Sequence, residues 1–345
     1  MSLPRDWLDQ FEVFIRRDPG RRGLLADDRY PPLLVGQLGA AAADLAATGR
    51  SVAIVTGFFI PSAQPPAAET DGPPGAMLLA QVLENLGIRA WLVTDEPCRA
   101  ALTHLAIAAE FPEERLLAVP LPSPAGPTDP RAVCDSVWQR LVDDGLTHLV
   151  AIERVGPSHT LESLATQSRP GPPPSDQFSA LVSEGSRGLP HNMRGEDLSP
   201  HTAPLHGLFE FARRASPLVR TLAIGDGGNE IGMGSVPWED LVRRLAGDHA
   251  GRVPCRIAAD ATILAGVSNW GGYALAAATA IWRRDMAVLS PFTAERELML
   301  LEHLVRKGPA VDGVTRRQEP TVDGLPFLTY IQPWLGMRRV LGFAD

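Results

Sequence analysis

Six short apolar runs, separated by stretches of helical character, constrain this chain more than any other feature. They are Ser51–Val55, Ala90–Val93, Leu116–Val119, His148–Ile152, Leu222–Ile224 and Arg256–Ala259. Each is too short for a self-sufficient helix and too uniformly apolar for a strand with one wet face, so each reads as a strand buried on both sides. Between them, helix starts are marked by a capping residue followed by proline: Asp71 before Gly72-Pro73-Pro74, Asp129 before Pro130, Ser199 before Pro200. Alternation of this kind predicts an α/β fold with a mostly parallel, doubly wound sheet and helices on both faces. Residues 1–50 read as a helical N-terminal preface, and 51–345 as one α/β catalytic domain. A further helix is expected over 295–306.

Residues 156–191 depart from this pattern. They are rich in Pro, Ser and Gly, notably Arg169-Pro170-Gly171-Pro172-Pro173-Pro174. Such a composition does not bury enough surface to hold one shape, and predicts an insertion or a lid.

Composition narrows the partners. The net charge is -8 and no basic arm or basic aromatic surface occurs, so nucleic acid is not expected to bind. No apolar run is long enough for a bilayer span, and Met1–Asp6 lacks an apolar signal core, which together predict a cytoplasmic protein. The three cysteines, Cys98, Cys134 and Cys255, are too scattered for a disulfide framework or zinc knuckle and read as buried thiols. Lys307 is the single lysine, at an expected helix end, so chemistry that needs a lysine nucleophile has one candidate.

The unusual polar groups fall at one end of the expected strands. Thr56-Gly57, Thr94-Asp95-Glu96, Glu153-Arg154, Asp226 to Glu230 and Asp260 each follow an apolar run, and the carboxyl edge of an open parallel sheet is where ligands bind. The densest of these is Gly225-Asp226-Gly227-Gly228-Asn229-Glu230-Ile231-Gly232-Met233-Gly234, five glycines in ten residues with two carboxylates and an amide among them. Glu230 stands where a dinucleotide fingerprint needs its third glycine, and no Gly-Lys-Ser/Thr ending follows, so neither nucleotide motif is met. The plainer reading is a strand-to-helix turn capped by Asp226 or Asn229. Two further clusters stand out: Asn192-Met193-Arg194-Gly195, and Ser268-Asn269 at a helix start that suits an anionic group or simple capping.

Taken in order, the pieces Glu69 to Ala76, Ile152-Glu153-Arg154, Asn192 to Gly195, Gly225 to Gly234, Gly266 to Ala274 and Val311 to Thr315 resemble the D-glutamate cyclase family over about residues 50–330. The resemblance implies a lyase that dehydrates D-glutamate to 5-oxo-D-proline. Two departures are visible. The Pro-rich segment is longer than the family's link, and Ala261 stands where a histidine is usual after the acid aligned with Asp260.

Lactam formation needs a base for the α-amine, a way to neutralise the attacked carboxylate, and an acid for the leaving oxygen. Asp226, Glu230 and Asp260, with Asn229, are the candidate catalytic residues. Arg154 and Arg194 are candidates for gripping the two carboxylates, with Glu153, Asn192, Ser268 and Asn269 beside them. The amides of Gly227 and Gly228 are candidates for stabilising an oxyanion. Asp71, Asp226 and Glu230 are the expected ligands if a hard cation such as Mn²⁺ or Mg²⁺ takes part. The expected partner is a small acidic amino acid, and oligomeric state is left open. The alternative is a phosphate- or nucleotide-binding module that uses the glycine loop and the Gly271-Gly272 helix start.

Overall fold

The computed structural model describes residues 4–25, 29–123, 126, 129–215 and 219–343. Its strands are β1 (Ser51–Thr56), β2 (Phe59–Ile60), β3 (Ala67–Ala68), β4 (Arg89–Asp95), β5 (Leu116–Val119), β6 (His148–Ile152), β7 (Arg220–Gly225), β8 (Ala261–Leu264), β9 (Thr321–Val322) and β10 (Leu325–Pro326). Six of them form one all-parallel sheet in the order β5-β4-β1-β6-β7-β8. The others pair as two short antiparallel ribbons, β2 with β3 and β9 with β10.

The expected α/β sheet is therefore present, and the burial pattern explains its uniform strands. Val52 and Ile54 face one core, with Leu92, Ile152 and Ile224. Ala53 and Val55 face the other, with Val93, Ala151 and Ala223. Both faces are covered by helices, so most positions in these strands are apolar; the buried Thr56 and Thr94 hydroxyls near the carboxyl ends of β1 and β4 are unpartnered. The strand order reverses around β1 and β6, which places the crevice of a doubly wound sheet beyond their carboxyl ends.

Two helices on one face are joined by reciprocal capping. Asn269, in the helix Ser268–Trp282, accepts hydrogen bonds on Oδ1 from Gly72 N (3.0 Å) and Gly75 N (2.7 Å), at the start of the helix Pro73–Asn85. Asp71 returns the favour: Oδ1 accepts from Asn269 N (2.8 Å) and Oδ2 from Ser268 N (2.9 Å). A side chain at Gly75 would lie 2.8 Å from the Asn269 Cα, so glycine lets the two helix starts touch.

The structure corrects three sequence expectations. The sixth strand is Ala261–Leu264, not Arg256–Ala259. Ser199-Pro200 opens only a single 3₁₀ turn, Ser199–His201. The Pro-rich segment holds a defined shape. It contains the helices Leu161–Thr166 and Ser175–Leu181, and Leu164, Phe178 and Val182 form a small core with Trp238. In the N-terminal preface, Phe11 and Ile15 of the helix Trp7–Ile15 pack into the main core. All three cysteines are buried, as expected. No helix among the described residues is long and apolar enough to cross a membrane.

Candidate active site

A cavity of about 260 Å³ lies at the carboxyl edge of the sheet. Glu153 enters it directly after β6, Asp226, Asn229 and Glu230 after β7, and Glu69 after β3. Asp323 comes from the turn between β9 and β10. Asn192, Met193 and Arg194 form one wall, and Gly313 to Arg316 contribute another. Glu153, Arg316 and Asp323 all line it with positive φ (46°, 60° and 54°). Non-glycine residues rarely adopt that conformation, and strain of this kind persists only where the surroundings enforce it.

Carboxylates make the floor, with Asp71 behind them and outside the lining. One oxygen from each of Asp71, Glu153 and Asp226 falls within 4.8 Å of the others, and all three residues are buried. Burial raises the pKa of each. Asp71 reaches about 7, pushed further by Asp323 and opposed by the Asn269 and Ser268 amides. Glu153 is well above the usual range from burial, Glu230 and Asp71, although Ser268 Oγ donates to its Oε2 at 2.6 Å. Asp226 is raised well above by burial, against the pull of Arg22.

Arg22 is the cation on this floor. Its guanidinium lies 2.7 Å from Asp226 Oδ2 and donates to both oxygens of Asp323 at 3.2 Å. The contact to Asp226 is an ion pair without an aligned hydrogen bond, because Oδ2 accepts none. Asp226 and Asp323 outweigh burial and keep Arg22 firmly charged. The residue is brought there by the segment after the first helix, where Asp18 accepts from the Arg22 and Gly23 amides.

Glu69 differs from its neighbours. Asp71, Glu153, Glu230 and Asp323 accept hydrogen bonds and Asp226 faces Arg22, but among the described residues nothing donates to the Glu69 carboxyl. Burial, then Glu153, Asp323 and Asp71, raise its pKa well above the usual range. Its Oε2 lies 2.0 Å from where a Cβ on Gly313 would sit, so the carboxyl occupies the space that a side chain there would take.

The glycine run is built around Glu230. This carboxylate accepts from Asp226 N (3.2 Å), Gly227 N (2.6 Å) and Gly228 N (2.7 Å). It folds its own loop as a bound anion would. Glu230 therefore anchors its own loop, and the Gly227 and Gly228 amides donate to it. Asn229 Nδ2 donates to His191 O (2.9 Å), while its buried Oδ1 is unpartnered and the residue lines the cavity.

Several other residues named from sequence lie elsewhere. Arg154 is buried beneath the edge, where it bonds Asp95 Oδ2 (2.6 Å), Gly57 O (2.7 Å), Thr202 Oγ1 (2.5 Å) and Ala203 O (2.7 Å). It does not line the cavity; both terminal nitrogens are engaged by the chain itself, and only the buried Nε is unpartnered. Asp260 precedes β8 and so sits at the amino edge, where it accepts from Thr221 N (2.8 Å) and lies near Arg220, far in chain topology from the other acids. Ser268 and Asn269 support Glu153 and Asp71 from behind rather than lining the cavity. The Asn192 side chain lines the cavity yet closes its own turn, accepting from Arg194 N (2.9 Å) and Glu196 N (3.0 Å). Arg194 is exposed at the mouth, with no partner for its guanidinium among the described residues.

Sequence reasoning missed Arg22, Arg316 and Asp323, and treated Glu69 only as part of a motif. Asp323 carried one signal: an acid before Gly324 in a turn that positive φ favours. Arg22 carried none.

A family model described as D-glutamate cyclase-like, C-terminal, matches residues 11–166 and 181–332. The stretch it leaves out, 167–180, lies inside the Pro-rich segment. The mitochondrial D-glutamate cyclase of Homo sapiens is 31% identical over 353 residues, an alignment that covers 92% of this chain. The chain spans about half the length of that relative, 49% of it being covered.

Proposed function

The chain belongs to the D-glutamate cyclase-like family, and on that premise we propose that it cyclises an acidic amino acid, D-glutamate to 5-oxo-D-proline, with loss of water. One observation carries this reading: a single cavity sets buried carboxylates, their pKa values raised by burial, at its floor against arginines at its mouth. That polarity suits a substrate with an ammonium to deprotonate and carboxylates to hold.

Holding the substrate folded supplies much of the rate, because amine and carboxyl belong to one molecule. The remaining chemistry moves protons. The ammonium must give up two protons, the leaving oxygen must receive two, and a C–N bond replaces a C–O bond. Glu69 is the group that moves them. It starts protonated, delivers its proton to the γ-carboxyl oxygen, recovers one from nitrogen, and repeats the exchange as water leaves. Having no hydrogen bond to hold it, it can turn between the two atoms. Asp226, ion-paired with Arg22, and Glu153 face the ammonium.

Asp71, Glu153 and Asp226 also suit a divalent cation. They offer hard oxygen donors at mutual ligand spacing, and their pKa values are raised by burial first and by neighbouring carboxylates second, with Arg22 opposing. Mn²⁺ or Mg²⁺ there would act as a Lewis acid on the attacked carboxylate. Glu153 takes the position that sequence gave to Glu230.

This cluster sets a pH dependence with a definite sign. The folded protein binds more protons than the unfolded chain wherever a carboxyl titrates higher when folded, so stability falls as pH rises through that window. For Asp71 the window runs from 3.8 to about 7. The metal-free protein is expected to unfold at lower temperature at pH 8 than at pH 5. Mn²⁺ should restore the loss at pH 8 and do little at pH 5, where protons compete for the same oxygens. Asp71→Asn should flatten both effects. A melting temperature that Mn²⁺ leaves unmoved at pH 8 would remove the cation from the proposal.

The phosphate-binding alternative meets an obstacle in the same geometry. Its two anion seats, the glycine loop and the start of the helix Ser268–Trp282, are filled by Glu230 and Asp71 of the chain itself. Purified protein incubated with D-glutamate, with and without Mn²⁺, should accumulate 5-oxo-D-proline. Stabilisation by nucleotides with no product formed would instead favour the alternative.

A further inference from the structure

Arg316 lines the cavity half-buried, and among the described residues its guanidinium meets no hydrogen-bond or ion-pair partner. Arg22 in the same cavity is fully engaged with Asp226 and Asp323. A partly desolvated cation without a counter-charge is unfavourable unless a ligand supplies one. Its backbone is fixed. Asp312, fully buried, accepts from Val314 N (2.8 Å), Thr315 N (2.8 Å) and, through its carbonyl, Arg316 N (2.7 Å). Its other oxygen accepts from Thr321 Oγ1 and Gly324 N, both at 2.7 Å. This pinned turn holds Arg316 at φ 60° and sets Gly313 directly against the Glu69 carboxyl. One short turn therefore places a cation at the mouth and shapes the wall around the proton carrier.

We propose that Arg316 binds the α-carboxylate of the substrate, the one that takes no part in the reaction. This rests on the cyclase reading. The reacting carboxyl must reach Glu69 and the buried acids, which occupy the floor. The spectator carboxylate then points outward, where a static positive charge is wanted and proton donors are not. Arg194, exposed on the wall formed by Asn192 and Met193, stands on the side of the glycine loop, since Met193 Sδ lies 2.7 Å from where a Cβ on Gly227 would sit. Arg316 stands on the side of Glu69 and is the more shielded of the two.

The α-carboxylate keeps its charge from substrate through product. An arginine that holds it binds ground state and transition state alike, and its loss should appear in KM with kcat nearly unchanged. Arg316→Gln should raise KM for D-glutamate about 10- to 100-fold, the scale of one charge-assisted hydrogen-bonded contact, and Arg316→Lys should recover part of it. A ligand pair isolates the carboxylate. In the wild type, 5-oxo-D-proline should stabilise against thermal unfolding more than 2-pyrrolidinone, the same ring without its carboxylate, and in Arg316→Gln the difference should vanish. An unchanged KM, a fall in kcat alone, or a surviving difference between the two rings would overturn the assignment while leaving the cyclase reading intact. Wild-type protein that neither turns over D-glutamate nor responds to either ring would overturn both.

Discussion

Glu69→Gln should lower kcat for D-glutamate cyclisation by about 10²- to 10⁴-fold while the protein stays folded and still binds substrate. The two halves of this expectation share a cause. Burial and three neighbouring acids push the Glu69 carboxyl toward its protonated form, which glutamine mimics in shape and charge. No hydrogen bond to the carboxyl is lost, because none is made among the described residues, and the close approach of Gly313 is unchanged. Only the mobile proton disappears. Glu230→Gln is the informative contrast. There an amide replaces a carboxylate whose two oxygens accept three backbone N–H groups, and an NH₂ would be turned toward a donor. That variant should lose about 1–3 kcal/mol of stability, the cost of unsatisfying a buried donor. Turnover by purified, folded Glu69→Gln at the wild-type rate would assign the proton transfers to Asp226 or Glu153 instead.

The difference between these two acids marks what the sequence could and could not show. Strands were legible because β1, β4, β6 and β7 are buried on both faces and so appear as unbroken apolar runs, while β5, half-buried at the sheet edge, is apolar as well. The last strand was misplaced because apolar residues flank Asp260 on both sides. Arg256–Ala259 and Ala261–Leu264 compete, and the β-branched pair Thr262-Ile263 takes the pairing with β7. That shift of a few residues moves Asp260 from the expected carboxyl edge to the opposite one. At the carboxyl edge, Glu153, Asn192, Arg194, Asp226, Asn229 and Glu230 all line one cavity. Roles were less legible than positions. Whether a carboxylate is an anchor or a proton carrier depends on which amides point at it, and nothing in Glu230 or Glu69 as letters encodes that. Arg22 lies beyond local pattern altogether: its partners Asp226 and Asp323 are some 200 and 300 positions away, and only the packing of the first helix into the main core brings it there.

The two arginines that sequence assigned to one task should separate under mutation. Arg154→Met is expected to cost about 3–5 kcal/mol of unfolding free energy, read from denaturant midpoints, because it leaves the Asp95 carboxylate buried without its cation. It also releases Gly57 O and Ala203 O from their donors, loosening the carboxyl ends of β1 and β4 where they are tied to residues 202–203. Arg194→Met, at an exposed site, should change stability by less than about 0.5 kcal/mol. The double variant Asp95→Leu/Arg154→Met should recover part of the loss, since removing both charges together also removes the need to keep either of them out of water. This recovery is the decisive arm. If Arg154 were a substrate ligand, deleting Asp95 as well would not repair the defect. If it is the bolt beneath the site, a pair of apolar side chains can replace the ion pair, and the carboxylates above it keep their places because the strand ends that carry them do.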